Sequence, residues 1–104
     1  DKKVINNINS YYIFKVNGQS MEPGIMHQDV VIIKKNSNWA NSGNQICAVR
    51  VDGEITLKRI VHAANQKLLV LISDNRCFEP IIVDTAHSKI ALLGFLYYLI
   101  REAQ

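Results

Sequence analysis

The chain has 104 residues and a mass of 11.8 kDa, enough for one hydrophobic core and too little for two. Hydrophobic residues make up 48% and charged residues 20% of the sequence, a composition that excludes a disordered, collagen-like or coiled-coil protein. The net charge is only +3, and the charges are scattered, so the sequence lacks the basic stripe expected of a nucleic-acid-binding face.

Two short strands are predicted in the first third of the chain. Residues 12–17 are rich in aromatic and β-branched side chains, and residues 29–34 form a compact, mostly aliphatic run, both typical of strands. The stretch between them, 19–28, is irregular. Because it contains Pro23 and Gly24, any helix there is limited to about one turn.

A hairpin is predicted over residues 45–61. Asp52 and Gly53 separate two alternating runs, and such a pair favours a type I′ turn, in which both central residues need positive φ. Further strands are predicted at 68–72, at 81–83 after a turn at Asp74-Asn75, and at 89–100, as one long strand or two strands broken at Gly94. The pattern therefore predicts a mostly β protein of short strands.

No segment is predicted to cross a membrane or to direct secretion. The longest nearly unbroken apolar stretch, 90–100, has about half of the ~20 residues that a spanning helix needs. Residues 1–9 are polar and lack the apolar region of a signal peptide. Without such a signal, Cys47 and Cys77 are expected to be reduced thiols in a soluble, cytoplasmic protein.

Metal and nucleotide sites have no support in the sequence. His27, His62 and His87 lie far apart, and neither cysteine belongs to a Cys-x-x-Cys pair. The five glycines are dispersed and form no phosphate-binding loop. We therefore expect no metal and no cofactor.

Ser20 and Lys58 are the residues with the clearest chemical potential. A serine at the end of a strand is most often a turn former, and a lysine within a strand most often points to solvent. A serine nucleophile nevertheless needs a base, and a lysine whose pKa is lowered by an apolar pocket can serve. Strand alternation places Lys58 on the same face as Thr56 and Ile60.

Three segments together resemble the LexA-like family of self-cleaving repressors. They are the serine-containing stretch 14–23, the acidic strand start 29–32 and the Leu-Lys-Arg stretch within 53–60. The same order and approximate spacing occur in the catalytic domains of LexA, UmuD and the lambdoid phage repressors. The similarity continues through 68–71, Asp74-Asn75, Pro80-Ile81 and Gly94, and so covers nearly the whole chain.

The resemblance implies a LexA/signal peptidase-like fold, barrel-like and built of short, largely antiparallel strands. It implies that Ser20 is the nucleophile and that Lys58, kept neutral by burial, is the general base. Backbone N–H groups near Ser20 and Met21 would form the oxyanion hole. Asp29 would brace the start of its strand and take no part in the chemistry.

The resemblance also implies that residues 1–104 are a single carboxy-terminal peptidase and dimerisation domain. The amino-terminal helix-turn-helix domain, which would bind DNA, and the cleavage loop would lie outside this chain, which contains no Ala-Gly or Cys-Gly pair. The expected partners are a second copy, contacted through Ile90–Ile100 as an edge strand, and a RecA–DNA filament or an antirepressor. No membrane partner is expected. The family's usual Gly-Asp pairs are replaced by Gly18-Gln19 and Gln28-Asp29.

Two alternatives remain beside a self-cleaving repressor. The first is a dimerisation module that does not cleave and belongs to a helix-turn-helix regulator relieved by an antirepressor. The second is type I signal peptidase, whose Ser-Met-x-Pro and Lys-Arg motifs are similar to residues 20–23 and 58–59. That enzyme has a membrane anchor and a longer catalytic region, neither of which this sequence shows.

Overall fold

Seven strands form almost all of the regular structure in the part of the chain that the structure describes. A computed structural model describes residues 8–65 and 67–103, and within them the only helices are two short 3-10 turns, at Ile8–Ser10 and Trp39–Asn41. The strands are β1 Tyr11–Lys15, β2 Val30–Lys35, β3 Cys47–Val51, β4 Glu54–Ala63, β5 Leu68–Ile72, β6 Ile81–Asp84 and β7 Ile90–Ile100. The predicted mostly β, barrel-like class is confirmed, since the sheet is antiparallel and curls into a half-barrel.

The strand order is β1-β2-β7-β3-β4-β5-β6. Each half of β7 has a different main partner: Ile90 to Phe95 pair with β3, and Gly94 to Ile100 pair with β2. The prediction that Ile90–Ile100 is an edge strand is therefore wrong. Alternation in a sequence reports how a strand is buried, but the neighbours of a strand depend on contacts distant along the chain.

Gly94 explains why β7 continues as one strand. It pairs with Ala48 of β3 and with Lys35 of β2, and a Cβ at this position would collide with the backbone oxygen of Lys34. A residue without a side chain lets β2 and β7 approach closely enough to pair. The alternative of two broken strands is not what the chain adopts.

The predicted hairpin is confirmed, with β3 and β4 as its strands. Asp52 and Gly53 have φ values of 48° and 91°, the positive values that a type I′ turn requires. The register joins Val51 to Glu54 next to the turn. The hairpin places Lys58 in the middle of β4.

Among the described residues, the core consists of two apolar clusters on opposite faces of the sheet. Cys47 and Val49 of β3 contribute to one cluster, and the residue between them, Ala48, contributes to the other, as strand alternation requires. The second cluster also contains Met21 and Ile25, which come from the loop between β1 and β2. This loop is therefore anchored in the core, although it has no regular structure of its own. None of the helices in the described ranges is long and apolar enough to cross a membrane.

Candidate active site

The loop between β1 and β2 carries Ser20 and is closed at its base. Val16 N–H donates to Asp29 O and Gln28 N–H donates to Val16 O, each at 2.8 Å. Met21, the residue after Ser20, is only 3% exposed. The closed base and the buried methionine hold the serine between two fixed points.

Lys58 reaches this loop from β4. Its Nζ lies 3.0 Å from Ser20 Oγ, 2.9 Å from Thr56 Oγ1 and 3.1 Å from Leu57 O, and each of these oxygens accepts a hydrogen bond. An ammonium has three donors, so the protonated side chain is fully satisfied. The Thr56 contact matches the shared face that alternation predicts.

Burial changes the acid strength of Lys58. The residue is 4% exposed, and burial lowers its pKa because an apolar environment disfavours the charged form. No carboxylate in the described ranges forms an ion pair with it. In its neutral form the amine has a lone pair and can accept the Ser20 hydroxyl proton.

Asn75 fixes the backbone on both sides of Ser20. Its side-chain Nδ2 donates to Gln19 O at 2.9 Å, and its backbone N–H donates to Ser20 O at 3.0 Å. Because each peptide unit is planar and trans, its N–H points away from its C=O. The N–H groups of Ser20 and Met21 therefore point away from Asn75, and no residue that the structure describes accepts a hydrogen bond from either of them.

An ion pair ties the Asn75 turn to β4. Arg59, next to Lys58, binds Asp74, next to Asn75, through Nε–Oδ1 at 2.7 Å and Nη2–Oδ2 at 3.2 Å. The Asp74 N–H also donates to the sulfur of Met21 at 3.4 Å. The strand that carries the lysine and the turn that holds the serine backbone are thus joined directly.

A groove of about 180 Å³ adjoins Ser20. Its walls come from β1, from the loop and from the first half of β4 and are mostly apolar, with lining residues that include Phe14, Val16, Met21, Ile55 and Leu57. Among the described residues, β1 pairs only with β2, and residues 54–58 of β4 pair only with β3. Each of these segments therefore has an edge without a partner in the described ranges, and such an edge can bind an extended peptide.

The structure brings together Ser20, Met21 and Lys58, which the sequence analysis singled out. The three histidines do not meet: His27 contacts Gly18, His62 contacts Ser42 and His87 contacts Asp84. No group of metal-binding side chains forms in the described part of the chain.

The thiol of Cys47 contacts the carbonyl oxygens of Ser42 and Gln45. Cys47 is fully buried, and burial raises its pKa to about 11, so that it remains a thiol at neutral pH. Cys77 is exposed, and neither cysteine is in a disulfide.

The sequence analysis did not predict the contacts that Asn75 and His27 make with the loop that carries Ser20. The sequence marks Asn75 as a turn residue, but nothing in the pattern connects it with a serine 55 positions earlier. For His27 the sequence offers only an isolated histidine, which is an unlikely metal ligand.

Comparisons with known proteins show the family of the chain. The sequence profile described as Peptidase S24-like matches residues 1–96. The chain is 40% identical over 93 residues to the LexA repressor of Dechloromonas aromatica (strain RCB), over 88% of this chain and 44% of that repressor. It is 38% identical over 97 residues to the LexA repressor of Actinobacillus pleuropneumoniae serotype 5b (strain L20), over 92% of this chain and 44% of that repressor.

A third relative is the LexA repressor of Photobacterium profundum, 34% identical over 93 residues, with 88% of this chain and 46% of that repressor covered. The chain thus spans less than half the length of these relatives. The resemblance predicted from the three segments is confirmed.

Proposed function

The chain belongs to the Peptidase S24-like family, and we propose that it is the self-cleaving serine endopeptidase and dimerisation domain of a LexA-like, DNA-binding repressor. The observation that carries the proposal is the 3.0 Å contact between Ser20 Oγ and Lys58 Nζ, made by a lysine that is buried without a carboxylate partner in the described ranges.

The proposed reaction begins with a proton transfer. Neutral Lys58 accepts the hydroxyl proton while Ser20 Oγ attacks the carbonyl carbon of the scissile peptide bond. The negative charge on the carbonyl oxygen is stabilised by the N–H groups of Ser20 and Met21, which the Asn75 contacts orient. Thr56 Oγ1 and Leu57 O hold the resulting ammonium in place.

The tetrahedral intermediate then breaks down. Lys58 returns its proton to the leaving amine, the C–N bond breaks, and an ester forms between Ser20 and the new carboxyl group. A water molecule attacks the ester after giving a proton to Lys58, and Ser20 regains its hydrogen when the ester bond breaks. The substrate would be an extended segment in the groove, because the strand edges of β1 and β4 beside Ser20 have no partner among the residues that the structure describes.

The remaining functions are proposed for the whole repressor. We propose that an amino-terminal helix-turn-helix domain binds DNA, that this domain dimerises, and that self-cleavage inactivates the repressor. A RecA–DNA filament or an antirepressor would trigger the loss of repression. The relatives support this organisation, since the chain matches less than half of each LexA repressor.

The decisive experiment follows the intact mass of the full-length repressor over time from pH 7 to pH 10, beside a Ser20→Ala variant. Two fragments whose masses sum to the parent plus one water are expected, and they should form faster at high pH and only with Ser20 present. An unbroken parent at every pH, with and without RecA filaments, would leave the alternative of a dimerisation module that does not cleave. Cleavage of separately added secretory precursors would instead support a signal peptidase.

Asn75→Ala is expected to slow cleavage about ten- to a hundredfold. The alanine variant keeps the N–H bond to Ser20 O but loses the side-chain bonds to Gln19 O and from Cys77 N–H, so the Ser20 N–H is less firmly oriented towards the oxyanion. Removing a whole oxyanion donor costs about 10²- to 10³-fold, and loosening one should cost less. The measurement is the cleavage rate constant, with Arg76→Ala as the control in the same turn. A rate equal to that of the parent would contradict the orienting role.

A further inference from the structure

Gly18 starts the short segment that leads to Ser20, and a histidine across the loop holds it. The Gly18 N–H donates to His27 Nδ1 at 3.0 Å. This contact lies next to the base of the loop, where Gln28 N–H donates to Val16 O. Gly18 has a φ of 124°, which residues with a side chain rarely adopt. The imidazole therefore contacts the backbone at a position whose conformation favours glycine.

The direction of this hydrogen bond specifies the state of the ring. Gly18 N–H is a donor, so Nδ1 must be an acceptor and carry no proton. In a protonated histidine both ring nitrogens are donors, and the contact with an N–H group becomes repulsive. The hold on Gly18 thus exists only while His27 is neutral.

We propose that His27 is a positioning residue for the nucleophile: its neutral ring holds Gly18 and thereby the placement of Ser20, and protonation of the ring releases both. This inference rests on the proposed role of Ser20. Histidine is the side chain that exchanges its proton between about pH 5 and pH 8. The contact therefore depends on the protonation state of the ring, which the experiment below changes through the pH.

The charged groups near the loop do not account for the contact between His27 and Gly18. The Asp29 carboxylate, two residues further along, accepts from Met26 N–H and from Arg101. No carboxylate among the described residues is within ion-pair distance of His27. Lys15 at the end of β1, Glu22 in the loop and the titrating Lys58 are the same in every variant below, so their effects cancel in ratios of rates.

The test measures how fast a fluorophosphonate ester modifies Ser20. Ser20 Oγ forms a bond to phosphorus, the P–F bond breaks, fluoride leaves and the proton passes to Lys58 and then to solvent. The proteins compared are the chain itself, His27→Asn and His27→Ala. A Ser20→Ala variant, whose intact mass should not change, shows that Ser20 is the residue modified. Asparagine Oδ1 can replace Nδ1 as an acceptor but does not titrate.

At pH 8.5 the parent and His27→Asn are expected to react at similar rates, and His27→Ala about three- to tenfold more slowly, the value of one modest hydrogen bond. As the pH falls to 5.5, the parent should drop below His27→Asn by the same factor and meet His27→Ala. A constant ratio of parent to His27→Asn across this range would overturn the proposal, as would an alanine variant as fast as the parent.

A second measurement separates this proposal from the proposed function. The amide proton of Gly18 is followed by NMR against pH in the parent and in His27→Asn. It should lose its hydrogen-bonded shift at acid pH in the parent and keep it in the asparagine variant, and identical behaviour in both would overturn the contact. Absence of any Ser20 modification at every pH, with Gly18 still following His27, would overturn the nucleophile and leave the contact standing.

Discussion

Lys58→Met is expected to abolish the proposed self-cleavage and to make the domain more stable. Methionine keeps the length and the apolar stem of lysine but has no lone pair that can take the Ser20 proton. General bases contribute about 10²- to 10⁴-fold and more when they act as a unit with the nucleophile, so a rate loss of at least about 10³-fold is expected. The cleavage rate constant at pH 9 measures it.

Lys34→Met is the matched control for this change. Lys34 also lies within a strand but is exposed, and it pairs in β2 with Tyr11 and Phe95. The Lys34→Met variant should have the same cleavage rate constant as the parent. A Lys58→Met protein that still cleaves would show that another group deprotonates Ser20.

The stability effect of the same variant depends on pH in a defined direction. Burial lowers the pKa of Lys58, so between its folded pKa and the unfolded value of about 10.4 the unfolded chain binds more protons. Stability of the parent therefore rises with pH across this window. Below the window the full cost of burying the charge is present, about 1.4 kcal/mol for each unit by which the pKa is lowered.

Lys58→Met lacks this cost at every pH. Its advantage in unfolding free energy is expected to be largest near pH 7 and to shrink as the pH approaches 10.4. Urea denaturation of both proteins from pH 7 to pH 10 measures the difference. A destabilised methionine variant would mean that the three hydrogen bonds of the ammonium outweigh its desolvation.

The local structure of this chain could be predicted well from its sequence. The Asp52-Gly53 turn allows few backbone conformations, so the hairpin follows from two residues. The contact of Thr56 with Lys58 follows from the two-residue period of a strand. Strand β5 has the bounds that the sequence predicts, because an apolar run between turn signals is a strong local pattern.

The contacts between distant segments could not be predicted in this way. The apolar sequence of β7 fits either an edge strand or a central strand. Only its pairing with β2 and β3 shows that it is a central strand. Asn75 has the same signature as any turn asparagine, although its two bonds to the serine segment span 55 and 56 positions. Local patterns report burial and turns, whereas these contacts depend on how the sheet curls.

The candidate site could likewise be predicted only in part from the sequence. Ser20 and Lys58 stand out through resemblance to a family, since a turn serine and a strand lysine are each common alone. That the two atoms lie 3.0 Å apart follows from the fold, which brings positions 38 residues apart together. The His27 contact is a feature of this chain's own loop, and neither composition nor motif indicated it.

Asp29→Asn is expected to produce the largest loss of stability among single changes near the site. The Asp29 side chain is only 3% exposed and accepts from Met26 N–H at 2.7 Å and from Arg101 Nε and Nη2 at 2.8 and 2.7 Å. The amide group of asparagine has the same shape but places an N–H₂ against one of these donors. Weakening the charge-assisted hydrogen bonds of a buried carboxylate costs about 2 kcal/mol, a fall in Tm of about 10 °C for a domain of this size.

The acid dependence of this loss has a fixed sign. The hydrogen bonds from Arg101 lower the pKa of the Asp29 carboxyl, and the Met26 N–H bond adds to this effect. Its contribution to stability is therefore complete above the unfolded value of about 3.9 and is lost as the pH falls through the lower folded value. The Tm difference between parent and Asp29→Asn should be constant from pH 7 to pH 5 and shrink below pH 4.

Asp84→Asn is the matched control, because it makes the same chemical change in an exposed pair with His87 and should leave Tm nearly unchanged. Asp29 lies at the base of the loop that carries Ser20, where its own carbonyl accepts from Val16. The less stable loop should therefore also lower the cleavage rate at temperatures well below Tm. An Asp29→Asn protein with the parent's Tm would mean that Arg101 and Met26 find other partners at little cost, and the loop base would then depend on its backbone bonds alone.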